Sequence, residues 1–131
     1  MPVTLTIKDE TATGAVTNEV QVSLAHELTT VKDIIEARVR AEVGAYNSKD
    51  AEYFRGLVQP SDAEATLNGY KLRKRRQLDA DQQCRIALEA FERNGYFVLI
   101  DNIQATTPDQ MVVVNPSTTV SFIKLTPLVG G

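Results

Sequence analysis

The chain ends in two glycines, Gly130 and Gly131, and this ending is the part of the sequence best suited to chemistry. A glycine has no Cβ atom, so it adopts backbone dihedrals that are closed to other residues and can enter a narrow channel. The carbonyl of a terminal glycine is open to attack from either face once its carboxylate is activated. The ending therefore predicts a C-terminal group suited to acyl transfer.

The segment before the diglycine is expected to project from the fold. Pro127 fixes its own φ angle and biases Thr126 toward an extended backbone. A segment of the length of 126–131 reaches on the order of 20 Å when it is extended. We therefore expect an extended C-terminal tail over 126–131, in which Pro127, Leu128 and Val129 are the residues that a partner would recognise.

Cys84 and His26 are the only cysteine and the only histidine of the chain. Cys84 lies on an apolar stripe, where a free cysteine is usually inert packing, and no histidine is near it in sequence. His26 stands in a turn and is expected at the surface. A single cysteine and a single histidine do not make a zinc site, so no metal and no catalytic residue are predicted.

A basic run, Lys71-Leu72-Arg73-Lys74-Arg75-Arg76, is the densest charge run of the sequence. Such a run can contact phosphates when it forms a surface patch. Acidic residues follow closely, and no aromatic series alternates with the basic ones. We therefore expect Arg73, Lys74, Arg75 and Arg76 to form a solvated face or a docking site for an acidic partner protein, rather than a nucleic-acid site.

Length and composition indicate one globular domain. The chain has 131 residues, of which 43% are apolar and 24% charged, and its net charge of −3 gives no overall attraction to nucleic acid or to an anionic membrane. The N-terminus lacks the pattern of a signal peptide, and no stretch approaches the roughly 18–20 apolar residues of a membrane span. With one cysteine, a reducing cytoplasmic location and no membrane contact are expected.

Apolar periodicity predicts the elements that position the tail. Strands are expected over 3–8 and 20–24, because apolar and polar residues alternate there. A helix is expected over 31–44, since Val31, Ile35, Val39 and Val43 form one stripe and Gly44 can close the C-terminus. Three further strands are expected over 96–100, 111–114 and 120–125.

Residues 45–95 are expected to form a helical insertion between that helix and the third strand. Ser61 to Glu64 has the spacing of a capping box, and Asn68-Gly69 can end the short helix that it would begin. A longer helix is expected from about Ala80 to Arg93, capped by Asp79. Because residues 96–100 are continuously apolar, we expect this strand to be buried on both faces, with the insertion or a partner covering the second face.

The order of two strands, one helix and three strands before Gly-Gly resembles that of ubiquitin and its relatives, bacterial ubiquitin-like proteins included. The segment Thr30–Val39 resembles the ubiquitin core helix, Thr118–Leu125 resembles the last strand, and Leu128–Gly131 resembles the conjugated tail. The resemblance covers residues 1–44 and 96–131, while the insertion has no counterpart and the tail lacks the arginines that ubiquitin has before its diglycine. It implies an α+β fold of the β-grasp type, a mixed sheet packed on one amphipathic helix.

The resemblance also implies a function. An activating enzyme would use ATP to adenylate Gly131, and the acyl group would pass through a thioester to an amine of a target protein. The chain would bind no cofactor and would be a substrate, not an enzyme. Activating and conjugating enzymes, a deconjugating protease and target proteins are the implied partners.

The same resemblance implies an apolar partner surface on the last strand, where Ile123 and Leu125 alternate with Val120 and Phe122. The sequence does not rank the lysines that could accept a second modifier, which are Lys8, Lys32, Lys49, Lys71, Lys74 and Lys124.

Two other functions stay open. One is a sulfur carrier with a C-terminal thiocarboxylate, because such carriers also end in Gly-Gly. The other is a non-covalent interaction module in which the tail is incidental.

Overall fold

The described chain consists of short strands in three groups, with a helix after the first group and a helix after the second. The computed structural model describes residues 2–48, 53–73 and 76–124. Within these residues the strands are β1 (Val3–Glu10), β2 (Val16–Leu24), β3 (Leu28–Thr30), β4 (Ala63–Thr66), β5 (Gly69–Leu72), β6 (Tyr96–Ile100), β7 (Ile103–Gln104), β8 (Met111–Val113) and β9 (Val120–Lys124), and the helices are α1 (Val31–Ser48) and α2 (Ala80–Glu92).

The first and last strands lie side by side in the middle of the main sheet. Its order is β2-β1-β9-β6-β7, with β1 and β9 parallel and the other neighbours antiparallel. Two small ribbons, β3-β8 and β4-β5, lie outside this sheet. The predicted α+β class is confirmed, and the strand that precedes the tail is central in the sheet.

One face of this sheet forms the floor of the core. Alternate residues of each strand point to the same face, and on the core side these are buried in β1, β6 and β9. The helix α1 lies against this core through its predicted stripe, and α2 packs beside α1. The buried side chains of the floor are Val3, Leu5, Ile7, Tyr96, Val98, Ile100, Val120 and Phe122.

The N-terminus of α1 is satisfied by its own cap and by a distant loop. The backbone N–H of Asp33 donates to the Thr30 hydroxyl oxygen at 3.1 Å, as expected for the predicted cap. The N–H groups of Val31 and Lys32 donate to the carbonyls of Gln110 and Pro108 at 3.0 and 2.8 Å. The otherwise unpaired donors of the first turn therefore hold the loop that leads into β8.

The C-terminus of α1 differs from the prediction, since the helix continues past Gly44 to Ser48. Tyr46 is buried beyond the glycine, and the side-chain amide of Asn47 both donates to and accepts from the backbone of Leu78, at 2.9 Å in each case. These tertiary contacts stabilise the last turn by more than the helix propensity that glycine loses, about 1 kcal/mol.

The prediction of a wholly helical insertion is wrong for its first half. Residues 63–72 form the hairpin β4-β5 instead of a short helix, and Phe54 pairs with Tyr70 through two backbone hydrogen bonds of 2.8 Å. Leu67 and Asn68 form the hairpin turn, and Gly69, with a φ of 126°, is the first residue of β5 after it. Asparagine and glycine at the end of a helix or at a hairpin turn satisfy similar local rules, and the strand pairing of Phe54 favours the hairpin.

The second half of the insertion is helical, as predicted. The Asp79 carboxylate accepts from the backbone N–H groups of Asp81 and Gln82, and Asn94, with a φ of 60°, ends α2. This helix covers the floor side of the sheet, because the Tyr96 hydroxyl donates to the Ala87 carbonyl at 2.6 Å. The insertion therefore does not cover the second face of β6 through α2.

Burial of β6 on both faces is consequently not observed. Tyr96, Val98 and Ile100 are buried, whereas Phe97 and Leu99, on the opposite face, are half-buried.

No helix in the described part of the chain is both long and apolar enough to cross a membrane.

Candidate functional site

Most of the site residues predicted from the sequence lie outside the described residues. This applies to the conjugation residues Gly130 and Gly131, to the recognition residues Pro127, Leu128 and Val129, and to Leu125, Lys74, Arg75 and Lys49. The described chain reaches Lys124, the last residue of β9. The place from which residues 125–131 continue is therefore the end of a central strand.

Ile123, a residue of the predicted partner surface, lies on the face of the sheet opposite the core. Val120 and Phe122 point to the core, and Ile123 is half-buried on the opposite face, directly across from Phe97 in β6. Leu99 shares that face. We call Phe97, Leu99 and Ile123 the outer strip.

The basic run contacts its own insertion. Arg76 donates to the Ser61 carbonyl at 2.8 Å, and the Arg73 guanidinium lies 3.9 Å from the Asp62 carboxylate, with both of these side chains exposed. Arg73 and Arg76 are thus brought together at the 61–62 turn. An exposed ion pair at 3.9 Å contributes little to stability, so the Arg73 side chain can leave Asp62 to contact a partner.

The remaining candidates of the sequence are distributed over the molecule. Lys8, Lys71 and His26 are exposed, and Lys32 lies 4.0 Å from Glu36 along α1. Cys84 is buried, and burial raises the pKa of its thiol, as expected for an inert packing residue.

A buried ionic cluster, which the sequence analysis did not single out, lies between α1 and the end of β1. The fully buried guanidinium of Arg38 donates to both carboxylate oxygens of Asp9, one of them at 2.7 Å, and its Nε donates to Glu42 at 2.6 Å. The guanidinium carbon also lies 4.7 Å from the centre of the Phe122 ring. We call Asp9, Arg38 and Glu42 the ionic cluster.

The ionic cluster also holds the insertion. The second carboxylate oxygen of Glu42 accepts the backbone N–H of Leu57 at 3.0 Å. Burial raises the pKa of Glu42, although the charge of Arg38 opposes this effect. Burial alone would lower the pKa of Arg38, but the carboxylates of Glu42 and Asp9 raise it, so the guanidinium stays charged.

Lys124 extends this polar region to the end of β9. Its ammonium group donates to the Gly56 carbonyl at 3.2 Å, and burial lowers the pKa of the amine. Lys124 and Glu42 therefore bind the same segment of the insertion, one through a carbonyl and the other through an N–H. The loop over 54–57 is fixed to the sheet and to α1 by these two contacts.

A cleft of about 500 Å³ opens above Asp9 and Lys124. The start of β2 and the β4-β5 hairpin form its sides, and the loop over 54–56 closes its end. Such a volume is within the range of small-molecule sites. The side chains that matter for its chemistry are Asp9, Asn18, Arg55, Thr66, Tyr70 and Lys124.

Sequence patterns could have identified this region. Asp9 continues the inward series Val3, Leu5, Ile7, and Lys124 continues the series Val120, Phe122. Arg38 and Glu42 stand four residues apart on the apolar face of α1. A charge at an inward position implies a buried partner, because an unpaired buried charge is costly.

Comparison with protein-family models, with curated proteins and with solved structures finds no match to this chain. The fold and site define an α+β protein with a five-stranded mixed sheet, two helices on one face and a polar cleft at the end of the central strand. The described residues hold no group of three His, Cys, Asp or Glu side chains that could bind a metal ion.

Proposed function

We propose that the protein is a ubiquitin-like modifier of the β-grasp type. In this proposal an activating enzyme joins the Gly131 carboxylate to the AMP part of ATP and releases pyrophosphate. A thiol then displaces AMP to form a thioester, and an amine of a target protein displaces the thiol to form an amide. The observation that carries the proposal is the position of β9, a central strand parallel to β1, immediately before the segment that ends in the diglycine.

The sheet order supports the fold part of the proposal. A β-grasp sheet is mixed and lies against one amphipathic helix, and in this chain β1 and β9 pair in the centre with β2 on one side and β6 and β7 on the other. The helix α1 follows β2 in sequence and packs on the floor of the sheet. The β4-β5 hairpin and α2 are additions between that helix and the third strand of the sheet.

The chemistry assigns the chain the role of a substrate. Its contribution is a carboxylate on residues without Cβ atoms, whereas the attacking thiol and the charge stabilisation belong to the partner enzymes. The proposal places the protein in the reducing cytoplasm, where the buried thiol of Cys84 stays free.

Two surfaces are proposed for recognition by these enzymes and by a deconjugating protease. The outer strip offers half-buried apolar side chains, Ile123 among them, on a sheet face that α1 and α2 do not cover. Arg73 offers exposed positive charge on the insertion, and the half-buried Arg76 lies beside it at the 61–62 turn. The insertion is the part without a counterpart in ubiquitin, so we expect it to select the partner.

The proposal is tested by denaturing purification of an N-terminally tagged chain from cells of its native source. We expect a ladder of heavier tagged species that survive denaturant and thiol reductant, because an isopeptide bond resists both. A variant without Gly130 and Gly131 is the matched control and should give the unconjugated chain alone. Identical patterns for the two chains would refute the proposal.

A non-covalent interaction module is the second candidate, and the β3-β8 ribbon favours it. Leu28, Met111 and Val113 are 58%, 56% and 69% exposed, and Leu28 lies directly opposite Val113 in the ribbon. Exposed apolar residues that are neighbours often mark protein interaction sites. In this case the diglycine deletion would leave partner binding unchanged, while replacement of Leu28 and Val113 by Ser would abolish it.

A further inference from the structure

The cleft at the end of β9 has unbalanced charge. Arg38, Arg55 and Lys124 supply three cations in and beneath it, whereas Asp9 and Glu42 supply two carboxylates. Both carboxylates are bound to Arg38. Among the described residues neither Arg55 nor Lys124 has a carboxylate within ion-pair distance, so about one positive charge in the cleft is without a counter-ion.

Arg55 and Lys124 are each held by a backbone carbonyl group. The Lys124 ammonium donates to the Gly56 carbonyl at 3.2 Å, and the Arg55 Nε donates to the Asn68 carbonyl at 3.2 Å. Each contact uses one N–H group of a side chain that has several. The remaining donors are available to a ligand, and their side chains need little reordering to bind it.

Neutral donors add to this arrangement. Tyr70 lines the cleft and is half-buried, and burial raises the pKa of its hydroxyl, so this group stays a neutral O–H donor. The amide of Asn18 lines the cleft from β2. Cationic and neutral donors that converge on a cleft of about 500 Å³ are typical of a site for a small anion.

We propose that this cleft binds the carboxylate group of a small organic acid or of a peptide C-terminus, with Lys124 and Arg55 as the cationic donors and Tyr70 as a hydroxyl donor. A monoanion matches the single uncompensated charge, whereas a phosphate dianion would add a second negative charge beside Asp9. The site is independent of the proposed conjugation, since it uses none of residues 125–131.

The test is a titration of the full-length protein, followed by the backbone amide resonances of the protein. N-acetylglycylglycine represents a peptide terminus, acetate a small acid, N-acetylglycylglycine amide the uncharged control and inorganic phosphate the competing anion. We expect saturable shifts at Gly56, Tyr70 and Lys124 with the two carboxylates and none with the amide. Tighter binding of N-acetylglycylglycine than of acetate would assign the peptide terminus, and equal binding would assign a small acid.

Variants locate the site. K124M and R55Q should each weaken carboxylate binding by about tenfold, since a charge-assisted hydrogen bond is lost. K124R should restore most of the binding, and K8M is the matched control because Lys8 is exposed on the other face of the sheet. Arg55 lies at the surface, so R55Q tests the site even where a Lys124 variant folds poorly.

Three results of the titration would overturn the proposal. They are the absence of saturable shifts with either carboxylate, equal binding of N-acetylglycylglycine and its amide, and tighter binding of phosphate than of both acids. A fourth contradiction would be unchanged carboxylate affinity in both single variants, R55Q and K124M. If the purified tagged chain carries no conjugates but the titration shows carboxylate binding, the modifier proposal is refuted and the carboxylate site stands.

Discussion

Arg38 is the residue on which the buried polar region depends. Its guanidinium joins β1, through Asp9, to its own helix, through Glu42, and it lies over the Phe122 ring of β9. In the described chain no buried side-chain N or O atom lacks a hydrogen-bond partner. The pairing is therefore complete, which is the condition under which buried charges are tolerated.

Replacement of Arg38 by Met should lower the free energy of unfolding by about 3–5 kcal/mol, because the buried carboxylates of Asp9 and Glu42 lose the guanidinium that pairs with both of them. Urea denaturation followed by circular dichroism measures this change. R40M is the matched control, since Arg40 lies on the same helix but its side chain is 48% exposed and pairs with Asp81 and Glu36. R40M should change stability by less than about 1 kcal/mol, and equal losses in the two variants would contradict the cluster.

Lys124 should give stability a pH dependence of known sign. Burial lowers its pKa from 10.5, so the protonated amine favours the unfolded chain, and this penalty disappears as pH rises from the folded pKa toward 10.5. Wild type should therefore gain stability relative to K124M as pH rises toward 10.5. Asp9, Arg38 and Glu42 are present in both proteins, so their contributions cancel in the comparison. A difference that is constant or that falls with pH would show that the amine is not desolvated.

The inward positions of the residues of the ionic cluster were predictable from the sequence pattern. The alternation that identified Val3, Leu5 and Ile7 as inward also places Asp9 inward, and the stripe of α1 contains Arg38. The role of Glu42 was not predictable. It depends on the Leu57 N–H, which lies in an irregular loop whose path no local pattern specifies.

At the scale of elements, two glycines show how tertiary contacts decide between local alternatives. Gly44 was expected to end α1 and lies inside it, while Gly69 was expected to end a short helix and instead begins β5 after the turn of the β4-β5 hairpin. Each position satisfied a local rule for chain reversal. The outcome was set by Asn47 in one case and by the pairing of Phe54 with Tyr70 in the other.

Alanine at these two positions should have opposite effects. G44A should stabilise the protein by about 0.5–1 kcal/mol, because the position is helical and a Cβ there meets no atom within 4 Å. G69A should destabilise it by about 1–3 kcal/mol, because a φ of 126° is strained for alanine and the Cβ would lie 3.0 Å from the Phe54 carbonyl oxygen. Thermal unfolding measures both, and destabilisation by G44A would show that α1 ends at the glycine.

Elements with a clear apolar pattern were predicted, whereas β3 and β7 were not. The helices, β1 and β9 follow from helical or alternating patterns, and β6 and β8 follow from apolar runs, while β3 and β7 have three and two residues and carry no such pattern. The β4-β5 hairpin was missed for a different reason. Ser61 to Glu64 has a capping spacing, but Asp62 adopts a φ of 57° that does not begin a helix.

At the scale of the whole molecule, the main sheet joins the two ends of the chain. The parallel pairing of β1 with β9 depends on contacts between residues more than 100 positions apart, such as Ile7 with Val120, and sequence order alone did not determine it. The resemblance to ubiquitin supplied the expectation of a mixed sheet. The insertion is fixed to α1 through Glu42 and to this sheet through Lys124, and the cleft lies beside these contacts.

The central claim, that Gly131 is joined to amines of target proteins, has a direct mass-spectrometric test. Trypsin cleaves after Lys124, so each modified lysine should carry the remnant Leu-Thr-Pro-Leu-Val-Gly-Gly. Conjugation through Gly131 predicts peptides with this branch in tagged material purified under denaturing conditions, and their absence from the variant that lacks Gly130 and Gly131. Recovery of an unbranched C-terminal peptide alone, with the Gly131 carboxylate free in every digest, would refute conjugation.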